Sequence, residues 1–241
     1  MAVTIPSRDG SMKVEVAARI AAVRERIARA AERAGRRAGD VLLVGVSKMV
    51  DVERISEAIA AGIPALGENR VQEAKAKIET LGRPVPWHLV GRLQTNKAQE
   101  AVRLFDLIHS VDRPELAQEL DRRARALGKI VDILVQVNLD EEAAKGGVPP
   151  TEMKALLERI APLDGIRVRG LMAIPPQADA PEDSRRWFSR LRELRDAARG
   201  WGVPGVEMAQ LSMGMSGDFE VAIEEGATMV RVGTAIFGER R

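Results

Sequence analysis

From Val41 onward the chain repeats one pattern eight times, a short apolar run followed by a segment of amphipathic or small-residue composition. The first run is Val41 to Ser47, in which Val41 to Val44 are all apolar and Gly45 and Val46 follow without a charge. Such a run suits a strand buried on both faces of a parallel sheet. The second is "PALGEN", ending near Glu68, the third Trp87 to Gly91, and the fourth Phe105 to Ser110 within "LFDLIHSVD". The fifth is "IVDILVQVN", ending at Asn138, and the sixth Ile166 to Ile174. The last two are "VEMAQLSMG" from Val206 and "TMVRVG" from Thr228. Helical patterns between them include Asp51 to Ala61, Pro114 to Leu127, Thr151 to Ile160 and Pro181 to Arg199. Each parallel crossover needs its own helix, so eight units in roughly 200 residues predict an α/β chain folded as a (β/α)8 barrel of the TIM type. A doubly wound open sheet is the competing arrangement.

A further amphipathic helix is predicted from Ser11 to about Arg36, with Val14, Val16, Ala17, Ile20, Val23 and Ile27 near helical spacing. Only "TAIFGERR" follows the eighth strand, too little for a full covering helix. The leading helix is therefore expected to cover the barrel near the two ends of the chain. The predicted organisation is one domain over 1–241, with the leading helix and tail in 1–40 and the barrel in 41–241.

Composition narrows the function classes. No Gly/Ser/Pro-rich linker divides the 241 residues, which suffice for one large core. Lys plus Arg number 37 against 35 Asp plus Glu, and aromatic residues make up 3%, so neither a strong cationic field nor stacking platforms suggest a nucleic-acid binder. The absence of cysteine excludes disulfides, thiolate metal sites and a cysteine nucleophile. The two histidines, His88 and His109, are too few for a multi-histidine metal site and read as hydrogen-bonded structural residues. The N-terminus lacks the pattern of a signal peptide, and no window approaches 18 uncharged apolar residues, so a cytoplasmic protein without a membrane partner is expected.

In a barrel the loops after all strands meet at one face. Lys48 stands at the end of the first strand, either as a solvated charge or as a partly desolvated amine suited to Schiff-base chemistry. "LSMGMSGDFEVAIEEG" puts Ser212, Gly214, Ser216 and Gly217 on a small-residue loop before a helix, and "VRVGTAIFGER" puts Gly233 and Thr234 after the eighth strand. Loops at these two places form the recurrent phosphate site of barrels, although glycine-serine segments also serve as plain turns. Arg231 lies on the same side of its strand as Gly233 and needs either a barrel carboxylate or a ligand acceptor.

Taken in order, "VGVSKMV", "GENRVQEAKAK", "WHLVGRLQTNK", "SVD", "VQVNLDEEAAKGG", "RGLMAIPP", "LSMGMSGDFEVAIEEGAT" and "VRVGTAIFG" resemble the pyridoxal-phosphate homeostasis proteins of the proline-synthase co-transcribed type, from about Val41 to Gly238. The resemblance implies a fold like the barrel domain of bacterial alanine racemase, holding pyridoxal 5'-phosphate (PLP) as a covalent aldimine on Lys48. It also implies Ser216, Gly233 and Thr234 as phosphate ligands, Arg231 as partner of the pyridine nitrogen, and Asn69, Asn138 and Met172 as residues around the ring. Met49 stands where that family often has Thr, and Arg92 at a variable position often filled by His, which leaves local pocket contacts open. The function implied is a monomer that buffers or delivers PLP, with apo-PLP enzymes as transient partners, an influence on amino-acid and keto-acid balance, and no robust turnover. The alternatives are a weak racemase with Lys48 as its only base, and a cofactor-free Schiff-base aldolase acting on a phosphorylated sugar. Racemases of the alanine type use a tyrosine as second base; this chain has none, which excludes that two-base route.

Overall fold

Strand register closes the barrel. The computed structural model describes residues 8–140, 146–176 and 178–239, with side chains in the first segment from residue 15 onward. Its strands are β1 (Leu42–Val46), β2 (Ala65–Glu68), β3 (Trp87–Leu89), β4 (Leu107–Val111), β5 (Val131–Gln136), β6 (Ile166–Met172), β7 (Val206–Ser212) and β8 (Met229–Val232). Each pairs in parallel with the next, and β8 returns to β1 through Leu43↔Val230 and Val44↔Arg231, so the open-sheet alternative is ruled out. The seam between β7 and β8 is the thinnest, with the single registered pair Ser212↔Met229. Inside the barrel Leu107, Leu134, Met172 and Met229 form an apolar plug with Leu42 against it.

The helices are α1 (Arg8–Arg33), α2 (Val52–Ala60), α3 (Val71–Leu81), α4 (Ala98–Leu104), α5 (Pro114–Ala126), α6 (Met153–Ile160), α7 (Arg185–Gly200), α8 (Phe219–Glu224) and the single turn α9 (Thr234–Phe237). Asp51 starts α2 by accepting the Arg54 N–H at 2.8 Å, and Pro114 opens α5, where its missing N–H has no helical partner to lose. As expected, α1 lies over the ends of the barrel sequence, packing against α2, α8 and α9. Its buried stripe is Val16, Ile20, Val23, Ile27, Ala30 and Ala31. Arg26 reinforces this contact: it donates twice to Glu220, at 3.1 and 2.7 Å, and stacks 4.5 Å from the centroid of Phe219.

Several boundaries differ from those read in the sequence. β4 begins at Leu107 because Phe105 still closes α4, its N–H on the Ala101 carbonyl at 3.0 Å. Asp106 is also occupied, accepting from Arg83 and from the Trp87 N–H, each at 2.8 Å. β3 stops at Leu89, and just beyond it Gly91 passes so close to β2 that a Cβ there would lie 2.3 Å from the Asn69 carbonyl oxygen. Among the described residues no helix is long and apolar enough to cross a membrane, and no three His, Cys, Asp or Glu side chains gather as a metal site.

Candidate functional site

At the mouth of the barrel Lys48, half-buried, follows β1 and lines a cavity of about 370 Å³. The same cavity is bordered by Asn69 after β2, by Ser216 and Gly217 after β7, and by Arg231, Gly233 and Thr234 at the end of β8. Val46, Val90, Ile174 and Met215 supply its apolar surface.

The backbone around Lys48 is held on both sides. Met49 adopts a left-handed conformation, φ 59°, which costs a non-glycine residue roughly 1–2 kcal/mol. Its N–H donates to the Glu73 carboxylate on α3. The buried ammonium of Lys77, one helical turn further on, donates to the Ser47 carbonyl at 2.6 Å and to Glu68 and Glu73, both at 2.7 Å. Those three bonds use every donor an ammonium has. Ser47 Oγ adds a fourth tie, donating to Glu68 at 2.7 Å. Burial pushes the Glu68 carboxyl up from its ordinary value, while Lys77 and Ser47 act in the opposite direction.

Ser216 joins the two small-residue loops. Its Oγ accepts the N–H groups of Gly233 at 3.2 Å and Ala235 at 3.3 Å. Gly214, at φ +89°, is required by space as well as by conformation, because a Cβ there would lie 2.6 Å from that of Ala222.

Arg231 is 4% exposed and donates to Ser212 Oγ at 2.6 Å and to the Ala173 carbonyl at 2.9 Å. The barrel carboxylate considered for it is absent: among the described residues Arg231 forms no ion pair, and neutral oxygens from β7 and the end of β6 take that place. Burial lowers its pKa to about 10, with Asp218 opposing, so it remains a cation at neutral pH. From Ser212 a polar chain runs across the barrel: Ser212 Oγ to His109 Nδ1 at 2.9 Å, then His109 Nε2 to His88 Nδ1 at 3.1 Å. A guanidinium only donates, so Ser212 accepts from Arg231. With the Ser212 hydroxyl proton turned to His109 Nδ1, the His109 proton sits on Nε2, facing His88; the opposite tautomer reverses both roles. Burial holds both rings neutral, lowering His88 to about 4 and His109 well below its usual value.

Six of the predicted residues, Lys48, Asn69, Ser216, Arg231, Gly233 and Thr234, therefore border one cavity. Met172 does not border it, lying in the apolar plug, and Asn138 follows β5 with its N–H on the Val148 carbonyl at 2.9 Å. Met49 and Arg92 are exposed and also outside the cavity lining. Sequence reasoning passed over Lys77, Glu73 and the histidine chain as parts of the site. The Glu73–Lys77 spacing of four was visible, but it reads equally as a surface helix pair.

The profile of the alanine racemase N-terminal domain family matches residues 19–241. A pyridoxal phosphate homeostasis protein from Aquifex aeolicus is 48% identical over 224 residues, 92% of this chain and 97% of the relative. One from Escherichia coli K12 is 40% identical over 231 residues, 94% of this chain and 97% of the relative. The solved structure of PipY from Synechococcus elongatus with PLP bound superposes with a TM-score of 0.83 at 39% identity, covering 92% of this chain and 100% of PipY. An alanine racemase from Clostridium difficile shares the fold, with a TM-score of 0.70 at 18% identity over 83% of this chain and 53% of the racemase.

Proposed function

Because the chain belongs to the alanine racemase N-terminal domain family and groups within it with the pyridoxal phosphate homeostasis proteins, we propose that it is a PLP carrier that buffers the cofactor and releases it to apo-enzymes. The observation that carries this reading is the convergence on one cavity of an amine, Lys48, a buried cation, Arg231, and the paired loops at Ser216 and Gly233. A volume of about 370 Å³ lies within the ordinary range for small-molecule sites, roughly 300–1,000 Å³.

PLP, when bound, supplies an aldehyde that bonds reversibly to amines and a ring that can accept electron density. On this reading Lys48 is the amine that holds it, and Ser216, Gly233 and Thr234 receive the phosphate. Arg231 would meet the ring nitrogen. A cation that keeps its charge at neutral pH disfavours protonation of that nitrogen, and an unprotonated ring is a poor electron acceptor. Storage is favoured over turnover, and the protein works as a monomer.

The test has two arms. Purified protein should be yellow, and borohydride should fix the cofactor mass on the peptide that contains Lys48. The loaded protein should then activate a set of apo-enzymes even with a trap for free PLP present, while α-proton exchange of added amino acids stays orders of magnitude below the median enzyme rate of about 10 s⁻¹. Colourless protein that PLP does not stain would end the reading. Efficient turnover of any amino acid would replace the carrier with an enzyme.

A further inference from the structure

Next to the cofactor cavity, and sharing Asn69 with it, a second and larger cleft of about 800 Å³ opens between the loops that follow β2, β3 and β4. Among the described residues four cationic side chains line it, Arg70, Arg92, Lys97 and Arg113, and no carboxylate does. Arg113 is built into the wall: it pairs with Asp112 and donates to the Leu93 carbonyl and Thr95 Oγ1, both at 3.2 Å. The other three differ. Among the described residues Arg70, Arg92 and Lys97 form no ion pair, although ion pairs occupy many other Arg side chains of this chain, including Arg26, Arg83 and Arg185. Gln72 and Gln94 add neutral hydrogen-bonding groups to the lining. Arg70 precedes the 11-residue helix α3 without a side-chain cap, and Val71 and Gln72 of its first turn line the cleft.

We propose that this cleft binds a small multivalent anion, a phosphate ester or a polycarboxylate, immediately beside the cofactor cavity. Like charges gathered around one cleft repel one another, and a bound anion removes that repulsion. Arginine forks match carboxylate and phosphate oxygens in the same planar geometry, which is why both chemistries fit. The concave shape favours a small molecule over a flat protein surface. The proposal does not depend on the carrier reading, since none of the three cations borders the cofactor cavity.

Calorimetric titration of the full chain with inorganic pyrophosphate and, separately, citrate tests it and tells the two anion chemistries apart. At least one should bind, with affinity that falls as salt is raised. Arg70→Gln/Arg92→Gln/Lys97→Gln should weaken that binding at least about tenfold, each charged contact being worth about as much. Ser216→Ala/Thr234→Val should leave it in place, which separates the cleft from the loops of the cofactor cavity. Arg70 and Arg92 are exposed and Lys97 is half-buried, so the fold should survive, as circular dichroism would verify; if the triple variant unfolds, Arg92→Gln alone should still weaken binding. The proposal is overturned if neither anion binds, if the cationic variants bind as the wild type does, or if binding follows Ser216 and Thr234. Capture of an oligoglutamate but of neither small anion would likewise overturn it, in favour of an acidic protein partner.

Discussion

The Lys77 ammonium lies 2.6 Å from the carbonyl oxygen of Ser47, the residue immediately before Lys48. With Met49 N–H held by Glu73, the backbone on either side of Lys48 is therefore anchored to the same helix, α3. Lys77→Met would leave Glu68 buried without its counter-ion, and breaking such a pair costs about 3–5 kcal/mol. Adding Glu68→Gln should restore most of that stability in urea unfolding. PLP affinity, followed by absorbance, should stay reduced in the double variant because Ser47 remains untied; full recovery of both would assign Lys77 to stability alone.

Replacement of Lys48 itself acts differently. Lys48→Ala should fold with near wild-type stability, since this half-buried side chain is outside the apolar core. Its PLP should lose the visible absorbance of a lysine-bound cofactor and dialyse away, the phosphate loops retaining it only reversibly. Unchanged colour in this variant would place the covalent bond elsewhere.

Ser216 and Thr234 discriminate between two ligands that differ by one group. Ser216→Ala/Thr234→Val should weaken PLP at least about tenfold while affecting pyridoxal much less, because hydrogen bonds to a charged phosphate contribute about 1.5–3 kcal/mol each. Ser216 also ties Gly233 and Ala235 together, so a general loosening would depress both ligands equally, and that result would return the loops to a purely structural role.

The histidine chain predicts a pH dependence of stability. His88 is lowered to about 4 from 6.5, and His109 shifts in the same direction, so between those values the unfolded chain binds protons that the folded chain refuses. Their contribution is complete above about pH 6.5 and is lost as pH falls below it, for His88 down to about 4. Urea midpoints at pH 7.5 and 5 should show the decline, and His88→Gln should reduce its slope. A flat profile over that range would mean that the rings are hydrated in solution.

The barrel was legible because short, mostly apolar runs alternate eight times with helical segments, and Val41 to Val44, unbroken, leave little room for another reading. Helices α3 and α4 were harder. Their buried faces use small residues, Ala74 in α3 and Ala98 and Ala101 in α4, which hardly raise the periodic signal. Lys75 and Lys77 look alike in "EAKAK", yet Lys75 reaches Glu100 at the surface while Lys77 is buried under Ser47. Only the packing of α3 decides between them. Period-two spacing within a strand can suggest that a histidine faces inward, but the approach of His88 to His109 depends on the register of β3 against β4, which no local pattern encodes. Depth along the barrel axis was equally hidden: the plug claims Met172, whereas Arg231 sits at the cavity wall.

Arg231 has a mechanical side as well. β7 and β8 share one registered pair, and above it the wall continues through the Met213 N–H on the Met229 carbonyl and the Arg231 N–H on the Gly214 carbonyl, at 3.2 and 3.0 Å. The Arg231 side chain then crosses to Ser212 and Ala173, lacing three neighbouring staves of the barrel at its weakest joint. The small-residue loop is thus part of the wall and not a flap hung from it. Anyone redesigning the polarity of this end of the cavity would be removing a rivet along with a charge, and would have to rebuild the hoop before asking what the new pocket binds.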